Sequence, residues 1–335
     1  VTVDTVISQL LYEIADARYA GPDVTTRLDS VRVTQDGADR VAISAVRGEA
    51  PPPDLKVSLT TLGGYRNELT LVLTGLDIDA KAALFQGQFT GALPSSPAEL
   101  TWRLARTDRP DAATQQEAAA LLTVVGRDTD EHAVGRGFAN AAIEVALGSY
   151  PGFFATTPPA AGSPYGVFTA GFVPQGVPAH EVVHDGGDVE RIGEPPAYRA
   201  MTPLLGSPPA SPDPAGPTSR LPLGTIAGAR SGDKGGNANV GVWVRDERAY
   251  PWLAHLLTPA MIGTLLPETD GLPVEVTYLP NLRAVNIVID GLLGQGVAYN
   301  ARFDPQAKGL AEWLRSRLVD IPETLLPQGP SDVTR

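Results

Sequence analysis

Apolar positions recur every three or four residues at the start of the chain. Val6, Leu10, Leu11 and Ile14 share one face of a helix predicted over residues 4–14, with Asp4 as its cap. Short runs follow at residues 27–35, 40–46, 55–62 and 68–73, and these read as strands. Asp36-Gly37 and Gly63-Gly64 are the expected turns, and Pro51-Pro52-Pro53 is a stiff connector. A second helix is expected over 78–89, capped by Asp77, with Asp79 in the first turn where the helix dipole favours a negative charge. Strands are expected at 99–106 and 119–125, with a short helix at 114–117 between them. A third helix, 135–147, stops at Gly148, and strands at 166–172 and 180–184 complete this part.

The pattern breaks at residues 203–222, where proline, glycine and serine exclude a helix interior or a central strand. This stretch reads as an extended linker. Beyond it, strands are predicted at 224–229 and 239–245, and a helical stretch at 249–266 is divided by Pro259. Two more strands, 274–279 and 282–290, flank Pro280-Asn281. A last helix, 305–319, sets Leu310, Trp313, Leu314 and Leu318 on one face. Two strand pairs with two helices make a small ferredoxin-like sandwich. The fold class is therefore α+β: a mixed α/β domain over 1–200, a linker over 201–222 and a ferredoxin-like domain over 223–335. The 335 residues accommodate two domains at roughly 100–200 residues each.

Charge and composition narrow the classes of function. A net charge of -12 repels phosphate backbones and anionic lipid, which disfavours nucleic-acid and membrane-surface binding. It leaves room for a small anionic substrate at a local basic pocket. The chain has no cysteine, hence no disulfide, thiolate metal site or cysteine nucleophile. No apolar run approaches the ~18–20 residues of a spanning helix, and no leader pattern opens the chain, so a cytoplasmic location is expected. The opening Val1-Thr2-Val3, without Met, is expected of a processed product or a fragment, and Val1 cannot act as an N-terminal nucleophile.

His180-Glu181-Val182-Val183-His184 matches the HExxH zinc pattern letter for letter. That pattern requires a helix, where residues four apart are neighbours. Here Pro178 precedes the motif, Gly186-Gly187 follow it and two valines fill its centre, so a strand is expected. On a strand the two histidines stand about 13 Å apart, too far to share one ion. No metal ligand set is therefore assigned.

The densest chemistry lies in residues 229–239, expected to be a glycine-rich loop between two strands. Gly232, Gly235 and Gly236 permit positive φ and close approach to a ligand. Arg230 can grip a carboxylate or phosphate with paired bonds, and Ser231, Asn237 and Asn239 add neutral donors. Asp233 and Lys234 are the candidate catalytic pair, Asp233 as an orienting group or general base and Lys234 as a point charge. The loop is neither a P-loop, since Gly235 rather than Ser or Thr follows Lys234, nor a nucleophile elbow, since the order at 228–232 is Gly-Ala-Arg-Ser-Gly. A tight loop with a local Asp–Lys pair and no ligand is the other reading of the same residues.

Several of these pieces together resemble the acyclic terpene utilisation family. They are the opening through Gln9-Leu10-Leu11-Tyr12-Glu13-Ile14, Leu73-Thr74-Gly75-Leu76-Asp77, Ser149-Tyr150-Pro151-Gly152-Phe153 and the segment Ala229–Gly235 with Asn239-Val240-Gly241 and Leu279-Pro280-Asn281-Leu282. Gly235-Gly236 departs from the family pattern, in which a polar residue follows the single glycine. The resemblance implies a further α/β portion upstream of Val1 and a C-terminal ferredoxin-like domain. It also implies bacterial catabolism of branched terpenoid acids through coenzyme A thioesters. It carries no established catalytic residues and no certain cofactor. Two functions follow as expectations. One is a lyase- or hydratase-type enzyme acting on a carboxylate or acyl-CoA substrate. The other is a non-catalytic subunit that binds the upstream domain or a partner chain. A homo-oligomer is expected in either case.

Overall fold

The structure, a computed structural model, describes residues 1–146, 148–212 and 216–327. Leu147, the expected end of the third helix, and residues 213–215 of the proline-rich stretch lie outside the described residues. The chain begins with α1 (Val3–Leu10), β1 (Arg18–Ala20), β2 (Thr25–Arg27), β3 (Arg32–Gly37), β4 (Arg40–Ser44), β5 (Arg47–Glu49) and the long β6 (Asp54–Thr74). It continues with α2 (Ile78–Ala92), β7 (Glu99–Ala105), β8 (Ala119–Asp128), α3 (Arg136–Ala146), β9 (Phe154–Ala155), β10 (Ser163–Pro174), β11 (His180–Val183) and β12 (Val189–Ile192). The last part runs β13 (Thr218–Pro222), β14 (Ala227–Lys234), β15 (Asn237–Val244), α4 (Tyr250–Leu256), α5 (Pro259–Leu265), β16 (Val274–Leu279), β17 (Ala284–Ile289), α6 (Leu310–Ser316) and β18 (Leu318–Pro322). Contacts group these elements into two units. One holds Val1–Leu59, Phe168–Asn300 and the chain from Asp304, and the other holds Thr60–Val167 with Ala301–Phe303.

The second of these units is built on antiparallel pairing of β6 with β8, from Tyr65↔Asp128 to Thr74↔Ala119, and of β8 with β7. Leu71, Leu73, Leu122 and Val124 bury one sheet face against Phe85 and Phe89 of α2 and Phe138 of α3. Phe89 meets Phe138 edge-on at 5.0 Å between centroids, and Trp102 closes the cluster at 5.8 Å from Phe89.

The first unit contains a four-stranded antiparallel sheet in the order β14-β15-β17-β16. Alternate residues point to opposite faces. Val240, Val242, Val244, Val285, Ile287 and Ile289 lie on one face and are buried against Leu253, Ile262 and Leu314 of α4, α5 and α6. Counted from β15 with β14 last, the neighbour order is that of the strand–helix–strand–strand–helix–strand ferredoxin-like sandwich, with the closing edge strand placed first in sequence. β13 and β18 pair in a separate two-stranded sheet. The opposite face carries Asn239, Gly241, Trp243 and Asn286, and α1 lies on it. Ile7, Leu11 and Ile14 pack there on Trp243, Leu279, Leu282 and Ala284.

Several expectations change. The first helix is shorter than predicted and is capped by Thr2 in a box with Thr5, not by Asp4. Asp4 instead reaches the sheet, where it accepts from Trp243 Nε1 at 3.2 Å and from Arg245. The expected strand at 27–35 is interrupted by a single 3-10 turn at Leu28–Ser30. Gly63-Gly64 is no turn, because β6 runs straight through it. A side chain at Gly63 would strike Val167 at 2.5 Å and Tyr165 at 2.6 Å, so the glycine makes room for neighbours on β10. Asp77 adopts φ 60° and gives no capping bond, and residues 114–117 form turns instead of a helix.

Glu49 ties β5 to two distant segments of the first unit. Its carboxylate binds Arg18 at 2.8 Å, Arg27 and Arg199 at 3.3 Å. Arg18 and Glu49 side chains are only 9% and 10% exposed, so the pair is desolvated and depends on its mutual contacts. The Arg18 hydrogen bond, followed by that of Arg27 and the charge of Arg199, outweighs burial and holds the Glu49 carboxyl down at about 2, from 4.5. A depressed carboxylate stabilises the fold above its unfolded value and loses that contribution as pH falls. Stability from Glu49 is therefore full above about pH 4.5 and declines toward pH 2. Glu49→Gln is expected to cost about 3 kcal/mol at neutral pH. Urea titrations across the acid range should show a flatter pH dependence for the variant than for the parent.

Candidate functional site

The expected glycine-rich loop is a β-hairpin. β14 and β15 pair from Ala227↔Val244 to Lys234↔Asn237, which leaves Gly235 and Gly236 as the turn. Gly235 takes φ 64°, and a side chain at Gly236 would meet the Gly294 carbonyl at 2.2 Å. The functional side chains consequently stand on alternate faces of a strand and do not ring a backbone nest. Ser231 is buried and joins β14 to α6, accepting from Ala311 N–H at 2.9 Å and donating to the Lys308 carbonyl at 3.2 Å. Asn237 donates to Asp290 at 2.6 Å and accepts from Gly291 N–H at 2.9 Å. These two side chains are committed to holding the hairpin.

Gly232 serves a neighbour within the chain. A Cβ there would stand 2.8 Å from the Tyr12 ring and 2.9 Å from Glu13 Cγ, so the bare strand lets residues 12–13 lie against the sheet. Asn239 then fixes this segment. Its Oδ1 accepts from Glu13 N–H at 2.7 Å, and its Nδ2 donates to Asn286 Oδ1. Asn286 Nδ2 donates in turn to the Ala15 carbonyl at 2.8 Å. Both asparagines have no exposed surface. The bracket holds Glu13 at φ 59°, a left-handed conformation that a residue with a Cβ seldom adopts without such support.

Charged side chains gather around Tyr12 and Glu13. Lys308 Nζ donates to Tyr12 Oη, to Glu13 at 2.7 Å and to Asp233 at 3.1 Å. The Arg230 guanidinium lies 4.2 Å over the Tyr12 ring and donates to Gln9 at 3.2 Å. Burial opposes the Lys308 charge, but the bonds to Glu13, Tyr12 and Asp233 outweigh it and raise its pKa above the ordinary lysine value. Burial likewise opposes ionisation of Glu13, yet Lys308 and Tyr12 hold its carboxyl below the usual range. Lys234 differs. It is half-buried and has no hydrogen bond or ion pair among the described residues. Burial first, and then the charge of Lys56, push its pKa down, against the pull of Glu13 and Asp16. Lys56, exposed on β6, sits 5.5 Å over the Phe168 ring, and a Cβ at Gly235 would lie 3.4 Å from the same ring.

Of the nine residues singled out from sequence, Arg230, Asp233 and Lys234 present charge here, Gly232 makes room for Tyr12 and Glu13, and Gly235 and Gly236 form the turn. Ser231, Asn237 and Asn239 turn their polar atoms inward. Tyr12, Glu13, Lys56 and Lys308 were missed. One signal could have found two of them. The chain has only four lysines among 26 basic residues, and Lys56, Lys234 and Lys308 all belong to this region. The fourth, Lys81, donates to the Thr74 carbonyl.

The first four HExxH residues form β11, in an antiparallel ribbon with β12 that pairs His180 with Ile192 and Val183 with Val189, and His184 follows the strand. All four residues of β11 are exposed, and His184 faces Glu190 at 3.4 Å. The helical geometry of a zinc peptidase is not formed.

Comparison with known proteins places this geometry in context. The family model described as acyclic terpene utilisation family protein AtuA matches residues 1–184. The chain belongs to the acyclic terpene utilisation family. A second model, the AtuA ferredoxin-like domain, matches residues 221–320 and coincides with the four-stranded sheet and its helices. No curated protein and no solved structure matches the chain. In this family member the site draws on both matched segments, Tyr12, Glu13 and Lys56 from the first and Arg230 to Lys234 and Lys308 from the second. No helix among the described residues is long and apolar enough to cross a membrane.

Asn286→Asp removes the donor to Ala15 while keeping the shape. Because the Ala15 carbonyl would then face a second acceptor beside a fully buried side chain, a loss of about 1–3 kcal/mol is expected by chemical denaturation. An unchanged denaturation midpoint would show that the bracket does not hold the segment.

Proposed function

We propose that this chain is part of a catabolic enzyme acting on a carboxylate or acyl-CoA intermediate, received at Lys234 on the polar face of the ferredoxin-like sheet. The observation that carries the reading is a half-buried ammonium with no counterion, next to a second lysine, in a chain of net charge -12. An anionic ligand supplies the missing charge at that point, and desolvation strengthens the attraction. Arg230 and Lys56 widen the basic patch. Hydration or dehydration next to a thioester needs one group to take a proton and another to give it. Glu13, kept ionised by Lys308, is the base of this reading, and Lys234 is the partner that changes charge. Asp233 acts through Lys308, steadying the ammonium that holds Glu13. Tyr12 forms the platform on which Arg230 and Lys308 rest.

Isothermal titration of the purified chain with 3-methylcrotonyl-CoA, and with the free acid, tests the reading. Saturable binding is expected, and Lys234→Met should weaken it by at least about tenfold, or ~1.4 kcal/mol. Lys81→Met should leave it unchanged. No binding, or equal binding by Lys234→Met, would overturn the proposal.

A further inference from the structure

We infer that the Lys234 amine is a nucleophile, which condenses with an aldehyde or ketone carrying a carboxylate or phosphate and forms a covalent imine. The inference deepens the proposed function and rests on its placement of an anionic ligand at Lys234. A lysine becomes nucleophilic when it is desolvated or set beside another cation, because both favour the free amine. Lys234 meets both conditions, through its half-buried place at the end of β14 and through Lys56. No carboxylate among the described residues forms an ion pair with it, although Glu13 and Asp16 act on it at longer range, whereas Lys308, in the same region, is locked into bonds with Glu13, Tyr12 and Asp233. The two lysines thus divide the work: one is held charged, and the other is left free to react.

The chemistry closes with the groups present. The Nζ lone pair attacks the carbonyl carbon, and the carbonyl oxygen takes a proton to give a carbinolamine. Glu13, ionised and within electrostatic reach of Lys234, accepts the proton from nitrogen and returns it to the departing hydroxyl. Amine, carbonyl and one proton from solvent become the protonated imine and one water, with no oxidant or reductant. The protonated imine then withdraws electrons from the adjacent carbon, so that a proton there can leave. The same step opens addition–elimination chemistry to keto acids.

The scarcity of lysine makes the test direct. The intact chain is incubated with pyridoxal 5′-phosphate, an aldehyde with a phosphate, then reduced with sodium borohydride and mapped by peptide mass spectrometry. Four lysines are the only side-chain candidates. Accessibility alone favours the exposed Lys56 over the half-buried Lys234. Near neutral pH we expect Lys234 to carry at least about tenfold more label than Lys56 or Lys81. Lys56→Met should lower labelling of Lys234 near neutral pH and restore it at higher pH, since loss of the neighbouring charge favours the ammonium. Label that follows exposure, an unmodified Lys234, or a pH profile unmoved by Lys56→Met would overturn the inference. If 3-methylcrotonyl-CoA still binds while Lys234 stays unlabelled, the imine alone falls. If neither binds, the site itself falls.

Discussion

The first unit depends on a pair of buried amides. A ferredoxin-like sheet buries one face on its own helices and normally offers the other to water. Here the second face is covered by the start of the chain, and Asn239 and Asn286 make that cover obligatory. Their side chains have no exposed surface, so beyond the bond between them only the backbone of residues 13–15 satisfies them. An unsatisfied buried amide costs about 1–3 kcal/mol, so the sheet face and the segment require each other. Glycine at positions 232 and 241 completes the fit, since a Cβ at Gly241 would lie 2.5 Å from Leu11 Cβ. Everything in the candidate site, from the angle of the Tyr12 ring to the place of the Glu13 carboxylate, is inherited from this docking.

The basic residues are divided by kind. Arginine supplies the structural pairs: Arg18, Arg27 and Arg199 around Glu49, Arg106 between Asp79 and Asp108, and Arg315 on Glu312. Its planar fork suits fixed, multidentate partners. Lysine is rare and is concentrated where charge has to be tuned, because its pKa moves readily with burial and neighbours. The contrast between Lys308 and Lys234 shows how. Both are lysines packed near Glu13, and the presence or absence of hydrogen-bonded partners moves them in opposite directions.

Much of the architecture was legible in the sequence. Periodicity located most helices and strands, and the two strand pairs beyond the proline-rich stretch read correctly as a ferredoxin-like sandwich. Local errors have local causes. Gly63-Gly64 carries a turn signal, yet a glycine inside a strand can equally mark a close approach by a neighbour, and here it does. The same ambiguity turned the 229–239 hairpin into a loop, because Gly232 and Gly235 look alike until their neighbours are known. The candidate site was half visible. Arg230, Asp233 and Lys234 announce themselves by density, whereas Tyr12, Glu13 and Lys308 fall in stretches whose periodicity reads as ordinary helix. Only the fold brings Glu13 to Lys308, across 295 positions, and no periodicity encodes a contact of that range.

That separation has a consequence for the newly made chain. Closing a loop of 295 positions comes late, after local hairpins and helices have formed, because the entropy of distant closure must be met before its contacts help. During synthesis the N-terminal segment leaves the ribosome long before β14, β15 and β17, the strands it is to cover, and α6 follows later still. Asn239 and Asn286 are then solvated, Glu13 has no reason to adopt its left-handed backbone, and Lys234 is an ordinary surface amine. The docking of residues 12–15 is therefore a late event of folding, possible only once β14, β15, β17 and the chain at Lys308 are all available to receive it.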